Sequence, residues 1–419
     1  MAAQTYPYLR HKTPGFMHNN ISFNPFFTGR FAVASGTNFT LVGNGRVHIM
    51  STDRDRPGGI GVERFFETRD CVYDVAWNEE NENQVVASCG DGSMRMFDMT
   101  IEDTLPVLTW HEHVGEVVSV DWNNIDKALF VSGSWDGSIK LWNTYRTASL
   151  LTIRPHGDGP VHINQTIFSP HQPSMLATCS EDGTMKIIDI RRPRSVILSA
   201  LINSVSDYSP NPQSSYRPPP IEVLSCDWNK YNPSVLATAS ADGKVRLIDV
   251  RGPDLSSLRP YDTEIGWHGL AAKKVAWSPH SQTLVASTGY DMCTRVWDTT
   301  YLSHSTRQSQ SERSQTPYRN PDPNSDPTRN PTAVPRPHIE TNSHHEVYAG
   351  SASERIANNP LAKAPLFQHT PHTEFIMGMA WSLFEPGYLV DASWDQEIHM
   401  MPVHHQNRPG QSVGQPQDA

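Results

Sequence analysis

The sequence predicts an all-β fold, a seven-bladed β-propeller with two Pro/Ser-rich loop insertions, and three observations lead there. A turn aspartate recurs at Asp91, Asp136, Asp182, Asp242, Asp291 and Asp395, and a repeat of roughly 40–45 residues marks four-stranded blades. Seven residues after the first five of these stand Asp98, Asn143, Asp189, Asp249 and Asp298, preceded by Phe97, Trp142, Ile188, Ile248 and Trp297. One strand of every unit carries an aromatic at the same place: Phe23, Trp77, Trp122, Phe168, Trp228, Trp277 and Trp381. A weaker first copy, in which Gly43–Val47 matches Gly90–Met94, brings the units to seven. Blades this short cannot bury their faces alone, so the seven stack into one domain.

The clearest unit is His113–Asn143. Glu116–Trp122 and Leu129–Gly133 read as strands, and Asp136-Gly137 as the hairpin turn that follows the second, because glycine readily takes the positive φ of a primed turn. Ser138–Trp142 then alternates as a third strand. His113, Ser132, Asp136 and Trp142, with His268, Asp291 and Trp297 in the sixth unit, are the residue types that tie loop, strand and turn by hydrogen bonds. His372 fits the same role. Buried polar groups need one another as partners, so this set reads as scaffold rather than a hydrolase triad.

Along the chain, residues 1–15, with Pro7 and Pro14, are expected to lend an outer strand to the last blade and close the ring, since closure removes exposed edges. The propeller is assigned to 16–402: the first blade near Phe16–Met50, a loop at Asp53–Gly61, the fourth at His156–Ile190, the fifth and sixth within Ile221–Thr299, the seventh at His372–Pro402. Insertions are placed at 198–220 and 303–365. Both are dense in Pro, Ser and Asn, cannot build a packed core, and read as disordered apart from a short helical turn at Ala352–Ala357. Residues 403–419 read as a flexible tail. The seventh unit ends in Met400-Met401-Pro402, without the terminal aromatic-Asp pair.

With 419 residues, 37% of them hydrophobic, the chain can bury a sizeable core. Its net charge of −10, without any Lys/Arg run, argues against a nucleic-acid partner and for a basic peptide or protein. Five scattered cysteines without a C-x-x-C pair suit a reducing compartment. The sequence has neither an apolar run long enough to span a membrane nor a signal-peptide core. The expected location is therefore the cytosol, with no direct membrane span. There is no P-loop, G-x-S-x-G or H-E-x-x-H. His344-His345 and His404-His405 are adjacent pairs that do not share a helix face. No cofactor, no metal and no enzymatic activity are expected.

Propellers present loops from every blade around the ring opening. Six or seven residues before the first-strand aromatics come Asp70, Glu116, His162, Glu222, Ala271 and Glu374-Phe375; just before the turn aspartates come Gly90, Trp135, Glu181, Ala241, Tyr290 and Trp394. Asp70, Glu116, Glu222 and Glu374, with Trp135, Tyr290 and Trp394, are thus the candidate peptide-binding residues of this top face. Aromatics beside carboxylates suit a helix with a cationic end and an apolar stripe. The plainer reading makes the acids solvated turn residues and the aromatics inter-blade packing.

Several segments carry a resemblance: K-T-P-G-F (12–16), F-N-P-F-F (23–27), F-A-V-A-S (31–35), L-V-G-N-G-R-V (41–47), E-V-V-S-V-D-W (116–122), V-S-G-S-W-D (131–136), L-S-C-D-W-N-K-Y-N (224–232), H-T-E-F (372–375) and A-S-W-D (392–395). Together they resemble the WD-repeat family of import receptors for the type-2 peroxisomal targeting signal. The resemblance covers all seven blades. It implies a cytosolic receptor that cycles to the peroxisome. It also implies binding of an N-terminal nonapeptide [R/K]-[L/V/I]-x5-[H/Q]-[L/A] on cargo such as peroxisomal 3-ketoacyl-CoA thiolase, and delivery with a co-receptor peroxin to the docking complex. In such a peptide positions one and eight, and two and nine, are two helical turns apart and share one face. The family's acidic top-face positions match Asp70 and Glu116, with Glu222 as a further match; both insertions depart from compact members. A propeller fold alone does not fix function, so a general WD-repeat scaffold, such as a histone-binding protein or ubiquitin-ligase substrate adaptor, is the alternative.

Overall fold

A computed structural model of the chain describes residues 8–40, 43–53, 58–157, 159, 161–193, 196–202, 220–251, 261–300 and 364–403. The chain divides into two compact units, Met1–Asp298 with Lys363–Ala419, and Thr299–Ala362; of the second, only Thr299 and Thr300 are described. Among its described residues the first unit holds seven four-stranded antiparallel sheets, one per blade. Their first strands are Met17–Phe23, Val72–Trp77, Val117–Trp122, Ile163–Phe168, Val223–Trp228, Ala272–Trp277 and Ile376–Trp381. Each ends on the aromatic of the repeat, and all seven aromatics are buried.

The sheets pack face to face, so the core is a series of inter-blade clusters. Ala32, Val47, Ile49 and Phe66 of blade 1 pack on Val72, Val75 and Trp77 of blade 2, with Phe66 stacked on Phe97. Met94, Met96 and Trp110 of blade 2 pack on Val117, Val120 and Phe130 of blade 3. At the ring's junction, Val390, Ala392, Ile398 and Met400 of blade 7 pack on Ile21, Phe23 and Phe31 of blade 1. Polar staples at the strand ends repeat the pattern: Asn24, Asn123 and Asn229 each donate Nδ2 to a carbonyl of the next blade (Glu82, Pro173 and Gln282) at 2.9, 2.9 and 3.0 Å.

The N-terminal strand Leu9–Lys12 is the outer strand of the last blade, in register Leu9↔Met400 to Lys12↔Glu397. Three boundaries differ from those read in the sequence. Val196–Leu201 is the outer strand of blade 4, so the segment assigned as an insertion from 198 begins with ordered strand. The outer strand of blade 1 is Ile60–Thr68, paired with Gly45–Thr52, so that blade runs on past Met50 and takes in the end of the segment assigned as a loop. The outer strand of blade 6 is Phe367–His369, paired with Thr294–Val296. The second long insertion therefore lies within blade 6, between its third and fourth strands. Most of both insertions, the helical turn at Ala352–Ala357 and the tail after Val403 lie outside the described residues.

The turn chemistry explains the hairpins. Gly92, Gly137, Gly183 and Gly243 follow the turn aspartates at φ of 84°, 79°, 76° and 80°, the left-handed region glycine favours. In blades 6 and 7 the same place is held by Met292 (φ 58°) and Gln396 (φ 71°).

Candidate functional site

The first strands line the ring's central channel, and each carries a β-bulge at the same height. Register slips between His18 and Asn20, Val72 and Asp74, Val117 and Ser119, Ile163 and Gln165, Val223 and Ser225, Ala272 and Lys274, and Ile376 and Gly378. A bulge leaves one residue unpaired and re-aims its side chain. The seven bulged residues are Asn19, Tyr73, Val118, Asn164, Leu224, Lys273 and Met377, and every one of them lines a single cavity of about 300 Å³. Below them Asn20, Asp74, Gln165 and Lys274 form its floor, while Glu116, Trp135, Tyr290 and Trp394 stand at its rim.

Two arcs of aromatic rings wall the mouth. On one side Trp135 stacks on His162 (5.4 Å, 22°) and leans on Tyr73 (5.9 Å). On the other, Tyr290 stacks on Phe375 (4.7 Å, 20°), which meets Trp394 at 5.7 Å, and Trp394 meets the exposed Phe39 at 6.0 Å. Trp394 also donates Nε1–H to Asn19 Oδ1 at 3.3 Å. These aromatics thus do both things weighed above: they pack across blade boundaries, and they remain partly exposed to the cavity.

The charges are arranged asymmetrically. Glu116 is pushed above the usual carboxylate range by burial and then by the nearby Asp70 charge. Burial likewise raises the Tyr73 phenol, with Cys71, Glu116 and Asp70 adding to it. In the floor, burial raises Asp74, opposed by Lys274 and by hydrogen bonds from Val120 N–H and the Asn20 amide. Across the channel, burial lowers the Lys273 ammonium, opposed chiefly by the Glu222 charge. Blades 2 and 3 therefore present carboxylates, and blade 6 a cation with the Glu222 carboxylate of blade 5 acting on it.

Of the seven top-face residues proposed from sequence, Glu116, Trp135, Tyr290 and Trp394 line the cavity. Glu222 lies beside it, accepting from Asn164 Nδ2 at 3.0 Å. Asp70 and Glu374 are one residue out of step. The backbone position matching Glu116 O, which accepts from Trp135 N at 3.0 Å, is occupied by Cys71 O for Gly90 N and by Phe375 O for Trp394 N. Asp70 instead caps Cys71 N at 2.8 Å. Glu374 is exposed and does not line the cavity; Phe375 holds the mouth position in that blade. The bulged ring was missed by sequence reasoning: each member stands four residues before a first-strand aromatic, but that offset marks an equivalent position in every blade and not the bulge that turns it inward.

The polar network is separate from the cavity. In blade 3, His113 Nδ1 lies 2.9 Å from Asp136, its Nε2 lies 2.8 Å from Ser132 Oγ, and Trp142 donates Nε1–H to the same Oγ at 2.8 Å. Blade 6 repeats this with His268, Asp291, Ser287 and Trp297, each contact at 2.8 Å. Blade 4 keeps a partial version in His156–Asp182 (2.9 Å). In blades 2 and 5 the turn aspartate instead pairs with Arg95 and Arg246.

Comparison with known proteins agrees with the fold. The family model described as "WD domain, G-beta repeat" matches residues 62–98, 104–143, 148–189, 199–249 and 266–298. The chain is 30% identical to the peroxisomal targeting signal 2 receptor of Saccharomyces cerevisiae, over 93% of this chain and 98% of the yeast protein. It is 31% identical to the receptor of the same name from Komagataella phaffii, over 94% and 98% of the two chains. The human protein of that name is 36% identical over 40% of this chain and 50% of its own.

Proposed function

Because the chain belongs to the peroxisomal targeting signal 2 receptor family, we propose that its cavity receives the type-2 signal as an amphipathic helix and that it works in peroxisomal protein import. The observation that carries this reading is the mouth itself: the Glu116 carboxylate, with the Asp70 charge acting on it from outside the cavity, and two facing arcs of partly exposed aromatic rings. A cationic side chain from the first position of the signal meets Glu116 with Asp70 behind it, a charge-assisted contact that fixes orientation. The apolar positions lie against Trp135 and against Tyr290 and Trp394, where flat rings offer large contact area. Lys273 keeps a second cation off the far side.

In this reading the chain is a binding protein rather than an enzyme, its cargo comprises proteins bearing the signal, peroxisomal thiolase among them, and it cycles between cytosol and peroxisome with a co-receptor. The test is fluorescence anisotropy of a labelled nonapeptide of the pattern [R/K]-[L/V/I]-x5-[H/Q]-[L/A], titrated with the full chain plus co-receptor. Saturable binding that Glu116→Lys abolishes supports the site. Binding indifferent to that change moves the site elsewhere, and no binding under either condition removes the reading.

A further inference from the structure

Blade 7 breaks the His–Ser–Trp–Asp pattern in a way that gathers three imidazoles around one carboxylate. Asp391 stands where blades 3 and 6 have Ser132 and Ser287, and Met401 where they have Trp142 and Trp297. The polar centre is completed by His399 of the third strand and His369 of blade 6's outer strand. His369, His372, Asp391 and His399 are all buried, and one ligand atom from each lies within 4.8 Å of the others.

The hydrogen bonds say which atoms face inward. His399 Nε2 lies 3.0 Å from Glu397, so it donates there and leaves the Nδ1 lone pair pointing at His369 Nε2, also 3.0 Å away. Asp391 is oriented by His372 Nε2 at 3.0 Å and by the Thr294 hydroxyl. His372 spends its other nitrogen on Asp395 at 2.8 Å. The rings of His372 and His399 stack at 3.9 Å and 17°, so one ion can lie in the plane of only one of them. His372, with both nitrogens on carboxylates, is the one left out.

We propose that His369 Nε2, His399 Nδ1 and the Asp391 carboxylate form a binding site for a divalent first-row cation of the zinc class. Imidazole nitrogens with a carboxylate suit such ions. A carboxylate behind a ligating imidazole, as Glu397 stands behind His399, is the usual support for one. On binding, the ion takes the place of the proton between His369 Nε2 and His399 Nδ1, and that proton passes through solvent to Nδ1 of the same His369 ring, so both imidazoles ligate in their neutral form. The two nitrogens then move from 3.0 Å to the roughly 3.4 Å required by tetrahedral bonds of about 2.0–2.1 Å. The bound ion would pin the outer strand of blade 6 to the third strand of blade 7, whose free edge carries the N-terminal strand.

The test uses the full chain, stripped with chelator and titrated with Zn²⁺ by calorimetry in two buffers of different ionisation enthalpy, alongside its melting temperature. Expected are one ion per chain, the same binding enthalpy in both buffers because neutral imidazoles and an ionised carboxylate release no net proton, and a rise in Tm. His369→Gln should weaken binding at least tenfold, whereas the His404→Ala/His405→Ala double variant should bind like wild type. Should His369→Gln fail to fold, the visible spectrum of the Co²⁺-loaded wild type decides, because tetrahedral nitrogen–oxygen ligation absorbs far more strongly than octahedral aqua-cobalt. Absence of saturable binding, binding unaffected by His369→Gln, binding lost with the tail pair, or an aqua-like cobalt spectrum would each overturn the proposal.

Discussion

Trp135 donates its backbone N–H to the carbonyl of Glu116 at 3.0 Å. That bond ties the turn before Asp136 to the entry of blade 3's first strand, and it sets an indole and a carboxylate together on the rim of one cavity. Replacing Glu116 with Gln keeps the shape and removes the charge. Binding of a signal peptide with a basic first residue should weaken roughly tenfold or more, in line with about 1.5–3 kcal/mol for a hydrogen bond to a charged group. A peptide with a neutral first residue should be indifferent to the change.

The same carboxylate should make peptide binding pH-dependent. Burial and the Asp70 charge place Glu116 above its ordinary value of 4.5. A cation-binding carboxylate is lost as pH falls through its pKa, so affinity should begin to decline at a higher pH than an ordinary glutamate would give. Anisotropy titrations from neutral pH downward, repeated with Asp70→Asn, should show the onset move to lower pH in the variant.

The aromatic arcs should matter separately from the charge. Trp135→Ala and Tyr290→Ala should each cost binding on the order of 1–3 kcal/mol, the range of a truncated interface aromatic, with the propeller's circular dichroism and Tm little changed. A loss in Tm of many degrees would mean that these rings serve chiefly as inter-blade packing.

Ser132 is the hinge of the buried network, accepting from Trp142 and facing His113 Nε2. Ser132→Ala orphans both nitrogens and should destabilise the chain by about 1–3 kcal/mol per group left unsatisfied, read as a lower denaturation midpoint. Burial lowers the His113 pKa against the pull of Asp136. For Asp136, burial opposes but the hydrogen bonds from His113 and Ser138 win, holding it well below the usual range. Both folded pKa values are depressed, so both contributions are full at neutral pH. The histidine's fades as pH falls below about 6.5, where the unfolded imidazole takes up its proton, and the aspartate's below about 3.9. Stability measured against pH should fall in those two windows, and the upper one should shrink in His113→Gln.

Turn strain gives a prediction of opposite sign. Met292 holds the left-handed conformation that four sister turns give to glycine. Left-handed backbone costs a non-glycine residue roughly 1–2 kcal/mol, and glycine gives back about 0.4–1 kcal/mol in unfolded-chain entropy. Met292→Gly should therefore raise stability slightly. Gly137→Ala should lower it, since φ is 79° and a Cβ would sit 3.1 Å from Gly159 O.

Much was legible from the chain because a propeller repeats its physics. The first-strand aromatics must fill the same inter-blade space seven times, and the turn aspartates must cap the same hairpin. Spacing alone therefore determined the blade count, and residue type at fixed offsets determined the His113 and His268 networks. What the tertiary structure decided lies where a one-residue difference changes direction. The seven bulges turn Asn19, Tyr73, Val118, Asn164, Leu224, Lys273 and Met377 into the channel, and no two-residue periodicity reports a bulge, since it is a slip in pairing with a partner strand. Backbone register likewise put Cys71 and Phe375, rather than Asp70 and Glu374, opposite the turns. The outer strands of blades 4 and 6, and the meeting of His369 with His399, depend on which distant segment hydrogen-bonds to which edge. Residue type determined what each side chain could do, and pairing between strands far apart in the chain decided which of them meet.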